Sequence, residues 1–440
     1  MSGQTAARDM DAIVIAAGEG TRMRPLTDRR PKPLLPVGRT TLVQRIMDQC
    51  LGPVDRFVLV VGYRSEAIRE QVGATHRGIP VEYVEQSEPR GTAHAIGRAG
   101  DLVDRRCLAL NGDVLVDDDI VETLATAGGT AMAVREVPDP ENYGVVETDG
   151  DRVTGLVEKP SAPASNLINA GLYAFEPSIF DAIERIGASP RGEYELTDAI
   201  GREIEAGNEV RAVEHDGTWL DVGRPWELLT ATEQVLGKLG SSEENQPGGV
   251  NGEFAIGDTL TGGVGPTDDT EDAGERRIDG TVEADVHLDG PVIVEDGARV
   301  RSGTYVEGPV VIREDADVGP NAYVRGATVV GPSARIGNAV EVKNSILFAG
   351  ATVGHLSYVG DSILGRDVNF GAGTTVANLR HDDESVRTTV NGERVDTGRR
   401  KFGVVVGDDA KTGIDTSLNA GVQLSTAART GPSETVLRDK

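Results

Sequence analysis

The stretch TVEADVHLDGPVIVEDGARVRSGTYVEGPVVIREDADVGPNAYVRGATVVGPSARIGNAVEVK, residues 281–343, carries an aliphatic residue at every sixth position. These are Val282, Leu288, Val294, Val300, Val306, Ile312, Val318, Val324, Val330, Ile336 and Val342. The residue two places earlier is small or β-branched, as at Ala298, Thr304, Ala316, Ala322, Thr328 and Ala334. The register slips by one to Leu347, Val353 and Val359, and again to Leu364, Phe370 and Val376. After a polar insertion it resumes at Val406, Thr412, Leu418 and Leu424. A period of six matches no single helix face. Six residues make one short strand and a corner, and three such units close a triangular coil with the aliphatic inward. The expectation is a left-handed parallel β-helix of hexapeptide repeats over 278–428, with a tail over 429–440.

Outward from this repeat the chain changes character. Residues 237–277 are rich in Gly, Asp, Glu and Ser and read as an acidic linker. Residues 1–236 alternate β-branched runs (Ala12 to Ala17, Phe57 to Val61, Val81 to Glu85, Cys107 to Leu110) with helical patterns (Thr41 to Leu51, Ser65 to Val72, and a last helix from Pro225 to Leu239). That alternation implies an α/β, Rossmann-like domain with a mostly parallel sheet.

Composition narrows the function. Among 440 residues there are 71 acidic and 44 basic side chains, a formal charge of −27, and only seven of the basic ones are lysine. This balance suits a high-salt cytoplasm, where a Debye length of about 3 Å at 1 M salt screens the field. It argues against nucleic acid as a partner. No run approaches the length of a membrane span, and MSGQTAARDM lacks the apolar core of a secretory signal. Cys50 and Cys107 give neither a disulfide framework nor a metal spacing. A cytoplasmic protein is expected.

The segment AAGEGTRMRPLTDRRPKPLLPVG, Ala16 to Gly38, follows the first strand directly. Gly18 and Gly20 permit a tight turn whose backbone N–H groups face phosphates, with Thr21 beside them. Arg22 and Lys32 add cations for a triphosphate. Gly-Glu-Gly-Thr-Arg-Met followed by Pro-Lys-Pro resembles the sugar-phosphate nucleotidylyltransferases, in particular their glucose-1-phosphate thymidylyl- and uridylyltransferase branch. The resemblance covers about residues 10–235. It implies attack of a sugar 1-phosphate on the α-phosphorus of a nucleoside triphosphate, with Arg22 and Lys32 as catalytic cations. Asp113 and Asp221 match the family's Mg²⁺-binding aspartates; taken alone they read equally as a helix cap and a turn residue. The resemblance assigns Gln86 and Gly91, in EQSEPRGTAHAI, to the nucleobase, and Thr92 reads as a helix cap. Tyr143-Gly144, Glu158-Lys159 and Asn169 match sugar and phosphate contacts.

The repeat carries chemistry of its own. Arg325 and Lys343 each follow an inward aliphatic and lie 18 residues apart, one full coil. They are expected to stack on one corner about 4.8 Å apart, and cations that close repel unless an anion lies with them. A phosphate site is inferred, the alternative being two solvated side chains. His355 lies beyond a corner and has no core role in the repeat. The segment EVKNSILFAGATVGHLSYVGDSILGRDVNFGAGTTVANLRHD resembles the acetyltransferase half of bifunctional N-acetylglucosamine-1-phosphate uridylyltransferases. Together with GERVDTGRRKFG it is more similar to the archaeal bifunctional sugar-1-phosphate nucleotidylyltransferase/acetyltransferases, over about residues 278–425.

That resemblance makes His355 the general base toward the amine of glucosamine 1-phosphate, with acetyl-CoA as co-substrate. Arg325 and Lys343 hold the phosphate, Tyr358 and Asn369 contact the sugar, the Ala372 N–H is an oxyanion donor, and Asn378 shapes the acceptor site. Two positions depart from the bacterial pattern: Leu379 replaces an aromatic, and Ile414 a serine near acetyl-CoA. Few coils remain before Lys440 for a CoA wall, so Arg399, Arg400 and Lys401 are candidates for CoA phosphates or a solvated loop. The first expectation is a bifunctional enzyme making UDP-N-acetylglucosamine, working as a homotrimer or dimer of trimers. The second is a nucleotidylyltransferase alone, with the β-helix for assembly. A third, weaker one is an acetyltransferase whose first domain only binds nucleotide.

Overall fold

The computed structural model describes residues 9–240 and 276–440. Most of the expected linker lies outside the described residues. The chain divides into two compact units, Met1–Glu227 and Leu228–Lys440.

The first unit is built on a ten-stranded sheet. Met10–Ala16 is central, with Val54–Val61 on one side and Cys107–Asn111 on the other, all parallel. Alternate residues of this strand enter opposite cores: Ala12, Val14 and Ala16 face one layer, Ile13 the other. A strand covered on both faces reads as a continuous apolar run. The helix Leu42–Gln49 shows why the flanking elements form. Thr41 and Gln44 make a reciprocal capping box, and Leu42, Val43, Ile46 and Met47 form the buried stripe. The sheet is mixed rather than mostly parallel. Leu167–Phe175 runs antiparallel between Cys107–Asn111 and Thr130–Glu136, and the hairpin Gly144–Asp149/Arg152–Glu158 adds a further antiparallel pair. Apolar runs report burial and not strand direction, so this inversion leaves no periodic trace.

The second unit is a parallel β-helix of three sheets with eight, six and eight strands. Parallel register joins, for example, Tyr305–Glu307 to Tyr323–Arg325 and then to Glu341–Lys343. The inward aliphatics of the repeat form one core from Val282 to Val436. The coils do not end at 428: Thr435–Val436 pairs with Ser417–Leu418, so part of the expected tail is a further strand. Each slip of register shortens the coil to 17 residues, as in Lys343↔Gly360. Asp285, Gly303, Asn321, Ala339, Leu356, Gly373, Asp415 and Ser433 follow one another down one corner with positive φ. Gly, Asn and Asp tolerate that conformation; a leucine there is unusual.

The shortened corner is held by buried hydroxyls. The Ser345 amide donates to Thr328 Oγ1 and the Ser362 amide to Ser345 Oγ. Ser362 Oγ accepts from the Val404 amide at 3.0 Å and donates to the Gly360 carbonyl. Ser362 therefore pins the chain where it returns from the polar insertion. Ser362→Ala leaves the Val404 amide buried and unpaired. It is expected to lower stability by about 1–3 kcal/mol, read as a shift of the denaturant midpoint at unchanged slope.

Candidate functional site

In the first unit the turn after the central strand closes around Lys32. Gly20 has φ +63°, and a Cβ there would lie 2.7 Å from Lys32 Cβ. Thr27 Oγ1 donates to the Gly20 carbonyl at 2.8 Å. Gly18 has open space around it, as a backbone meant to face a ligand requires. Lys32 is buried and its ammonium donates to Asp113 Oδ2, with Asp221 Oδ1 at 4.0 Å. Asp113 follows the strand Cys107–Asn111. Asp221 reaches it because Trp219–Asp221 pairs antiparallel with Val114–Val116 and the Val222 amide donates to the Asp113 carbonyl.

A cavity of about 520 Å³ opens beside this pair. Arg22, Gly144, Glu158, Lys159, Asn169 and Asp221 all line it. Asn169 is fixed at both ends of its amide: Nδ2 donates to Tyr173 Oη at 2.6 Å, and Oδ1 accepts from the Gly171 amide. Glu158 meets Lys159 at 3.8 Å and Arg191 at 3.4 Å. Burial pushes the Glu158 carboxyl up and Glu195 adds to this, against Lys159 and Arg191. Gln86 is buried at the end of the strand Ile79–Glu85. Gly91, not Thr92, is the residue at the helix start, and Thr92 makes no cap. A Cβ on Gly91 would strike the Tyr194 carbonyl at 2.5 Å, so backbone crowding decides the position.

Burial raises the Asp221 carboxyl, and neighbouring Asp113 raises it further against Lys32, Arg22 and Arg224. Asp113 and Asp221 thus stand together on the Lys32 ammonium, each within 4.0 Å of it. No group of three or more metal-ligating side chains occurs among the described residues. Mg²⁺ characteristically takes one or two carboxylates and completes its shell from phosphates and water. Asp113 and Asp221 fit it on those terms.

In the second unit Arg325 and Lys343 are register partners on adjacent strands. Arg325 Nη2 lies 2.7 Å from Glu341 Oε1. Burial pushes the Lys343 ammonium down; Asp361 opposes this, while Lys401 and Arg325 add to it. Lys401 thus joins the Arg325–Lys343 corner. Arg399 instead pairs with Glu233 and Thr230 Oγ1, and Arg400 with Asp383. The basic triplet is dispersed because its side chains point to different partners. Asn378 Nδ2 donates to Asp361 Oδ2 at 2.5 Å and lies 3.2 Å from Tyr358 Oη. Lys343, Tyr358, Asp361, Asn378 and Lys401 therefore form one cluster.

His355 is exposed at the next corner. Its carbonyl accepts from the Gly373 amide of the following coil, which sets Ala372 directly below it. Among the described residues the Ala372 amide has no acceptor. Gly354 has no side chain to crowd it, since a Cβ would lie 2.8 Å from the Ala372 nitrogen. Asn369 is exposed on the sheet that leads into this corner. Leu356, Leu379 and Ile414 are exposed hydrophobics, Leu356 most of all at 66%.

Two family models match: "Nucleotidyl transferase" over residues 11–238 and "GMPPB C-terminal domain" over 306–412. The Bifunctional protein GlmU of Methanocaldococcus jannaschii is 39% identical over 431 residues, 98% of this chain and 95% of the relative. The chain belongs to the bifunctional GlmU-like sugar-1-phosphate nucleotidyltransferase family. A Bifunctional sugar-1-phosphate nucleotidylyltransferase/acetyltransferase of Sulfurisphaera tokodaii is 34% identical over 98% of both chains. The UTP–glucose-1-phosphate uridylyltransferase AglF of Haloferax volcanii is 36% identical over 51% of this chain and 96% of its own. As a GlmU-like protein the chain is an enzyme with nucleotidyltransferase activity. No described helix is long and apolar enough to cross a membrane.

Against that family background, sequence reasoning missed three kinds of residue. Asn111 and Trp219, each two residues before a candidate metal aspartate, and Glu227 in the last helix of the alternating region line the first cavity. Asp361 holds Lys343 and Asn378 from a corner that looks like any other Asp turn. Lys401 was legible as basic but not as the neighbour of Lys343, because it stands at the end of a 24-residue excursion, 378–401, from the repeat.

Proposed function

We propose that this chain is a bifunctional enzyme of UDP-N-acetylglucosamine synthesis. One activity transfers acetyl from acetyl-CoA to glucosamine 1-phosphate. The other, Mg²⁺-dependent, transfers a nucleotidyl group from UTP or dTTP to a sugar 1-phosphate. The observation that carries the acetyltransferase reading is the gathering of Arg325, Lys343 and Lys401 on one corner, with exposed His355 and the unpaired Ala372 amide on another. Three cations face Glu341 and Asp361, which leaves a positive site on a chain of charge −27. A sugar phosphate is the anion that fits beside an amine acceptor. His355 takes the proton as the amine nitrogen bonds to the thioester carbon. The Ala372 N–H faces the oxyanion, and the C–S bond breaks to release CoA. Tyr358, Asn369 and Asn378 contact the acceptor.

In the first unit the incoming sugar phosphate is already an anion, so positioning and charge neutralisation suffice. Arg22 and Lys32 face the triphosphate, with Gly18, Gly20 and Thr21 at its backbone. Gly144, Glu158, Lys159 and Asn169 hold the sugar phosphate. When bound on Asp113 and Asp221, Mg²⁺ supplies Lewis acidity at the phosphates. The reading includes a high-salt cytoplasm and a homotrimer or dimer of trimers.

A second reading, nucleotidyl transfer alone with the β-helix for assembly, draws on exposed Leu379, where the bacterial pattern has an aromatic, and exposed Ile414, where it has a serine near acetyl-CoA. Thiol release from acetyl-CoA with glucosamine 1-phosphate, in molar KCl, separates the two. Release supports the bifunctional reading; its absence from folded protein that still releases pyrophosphate from UTP supports the second.

A further inference from the structure

The hydrogen bonds around Gln86 assign a role to His94, a residue of the segment EQSEPRGTAHAI to which no role was given above. Gln86 Nε2 lies 3.3 Å from the Gly91 carbonyl and 2.8 Å from His94 Nδ1. A carbonyl only accepts, so the Gly91 contact fixes which end of the amide is the NH₂. His94 Nδ1 must then accept too, and the ring proton sits on Nε2. Both Gln86 donors are spent on the protein. Its Oε1 has no donor among the described residues and is not sealed from solvent. The amide therefore offers a ligand an acceptor and nothing else.

We infer that His94 is a positioning residue for base selection: it locks the Gln86 amide so that only a pyrimidine with a proton on N3 can be read. The inference rests on the proposed assignment of Gln86 to the nucleobase. Uracil and thymine carry N3–H and donate to Oε1. Cytosine presents a bare N3, which would face Oε1 lone pair to lone pair. A freely rotating amide would serve either base.

The surroundings keep the ring in the required state. Burial lowers the His94 pKa below the ordinary histidine value, and Arg90 and Arg98 lower it further; Glu88 opposes them. The Tyr194 ring stands 6.3 Å away, tilted. The sign follows: His94 is neutral at and above neutral pH, and protonates only as pH falls below the usual histidine range. An Nδ1–H would then confront the Gln86 NH₂, and the amide would turn to offer its donors instead.

The test compares kcat/KM for UTP and for CTP, with one sugar 1-phosphate, in wild type, His94→Leu and His94→Gln. The wild type is expected to prefer UTP and to lose that preference on the acid side. His94→Leu should lower the UTP-over-CTP ratio about tenfold at neutral pH, the worth of one hydrogen bond. His94→Gln keeps an acceptor and should restore the ratio, now without its acid decline. If the wild type prefers UTP and His94→Leu keeps the same ratio, the positioning role is wrong. If the wild type itself shows no preference for UTP over CTP, the assignment of Gln86 to the base falls, and this inference with it.

Discussion

His355→Ala is expected to lose acetyl transfer by about 10²–10⁴-fold, the usual contribution of a positioned general base. CoA thiol release with glucosamine 1-phosphate measures it. Pyrophosphate release from UTP with a sugar 1-phosphate, in the same preparation, should be unchanged. His355 is exposed and its backbone carbonyl carries the coil-to-coil hydrogen bond, so truncating the side chain removes no packing. The loss should therefore be one of kcat at an unshifted melting temperature. Unchanged thiol release in the variant would remove His355 from the mechanism and return the corner to a scaffold role.

The second large effect is expected at the other site. Asp113→Asn keeps the side chain's shape and removes its charge. Lys32 loses its nearest carboxylate, and Asp221 is left as the one aspartate beside it. Nucleotidyl transfer should fall by about 10²–10³-fold, as when one preorganised electrostatic contact is lost. The Mg²⁺ concentration for half-maximal rate should rise with it, which a merely structural role would not produce. Removing the repulsion from Asp113 should also let the Asp221 carboxyl fall toward its ordinary range, since that neighbour helps to hold it up. Acetyl transfer serves as the internal control. An unchanged Mg²⁺ requirement would sink the assignment of Asp113 to the metal.

The two sites differ in how far the sequence exposes them. The hexapeptide period fixes which residues point inward, so the stacking of Arg325 on Lys343 follows from counting and is found in the register. The positive φ at each corner likewise explains the Gly, Asn and Asp residues spaced along the repeat. The motifs of the first unit yield Lys32, Asp113 and Asp221, but not the reason they meet. That reason is a two-stranded pairing between segments about a hundred residues apart, Val114–Val116 and Trp219–Asp221. The family resemblance assigned Gln86 to the nucleobase. The contact that orients its amide, His94 eight residues on, was not legible, because spacing does not show which way a side-chain amide turns.

By itself the sequence determined the class of each half: a β-helix from a strict period of six, and an α/β nucleotidyltransferase from a Gly-rich turn with its lysine and aspartates. Both rest on local rules, since side-chain direction in a strand or corner is set within a few residues. Only the tertiary structure decided the antiparallel strand inside the first sheet, the convergence of Lys401 on Lys343, the diversion of Arg399 to Glu233, and the locking of Gln86 by His94. The first three depend on where distant segments pack, and the last on which way a side-chain amide turns among its neighbours. Both are settled by burial and hydrogen-bond satisfaction over the whole unit, and no local spacing encodes them.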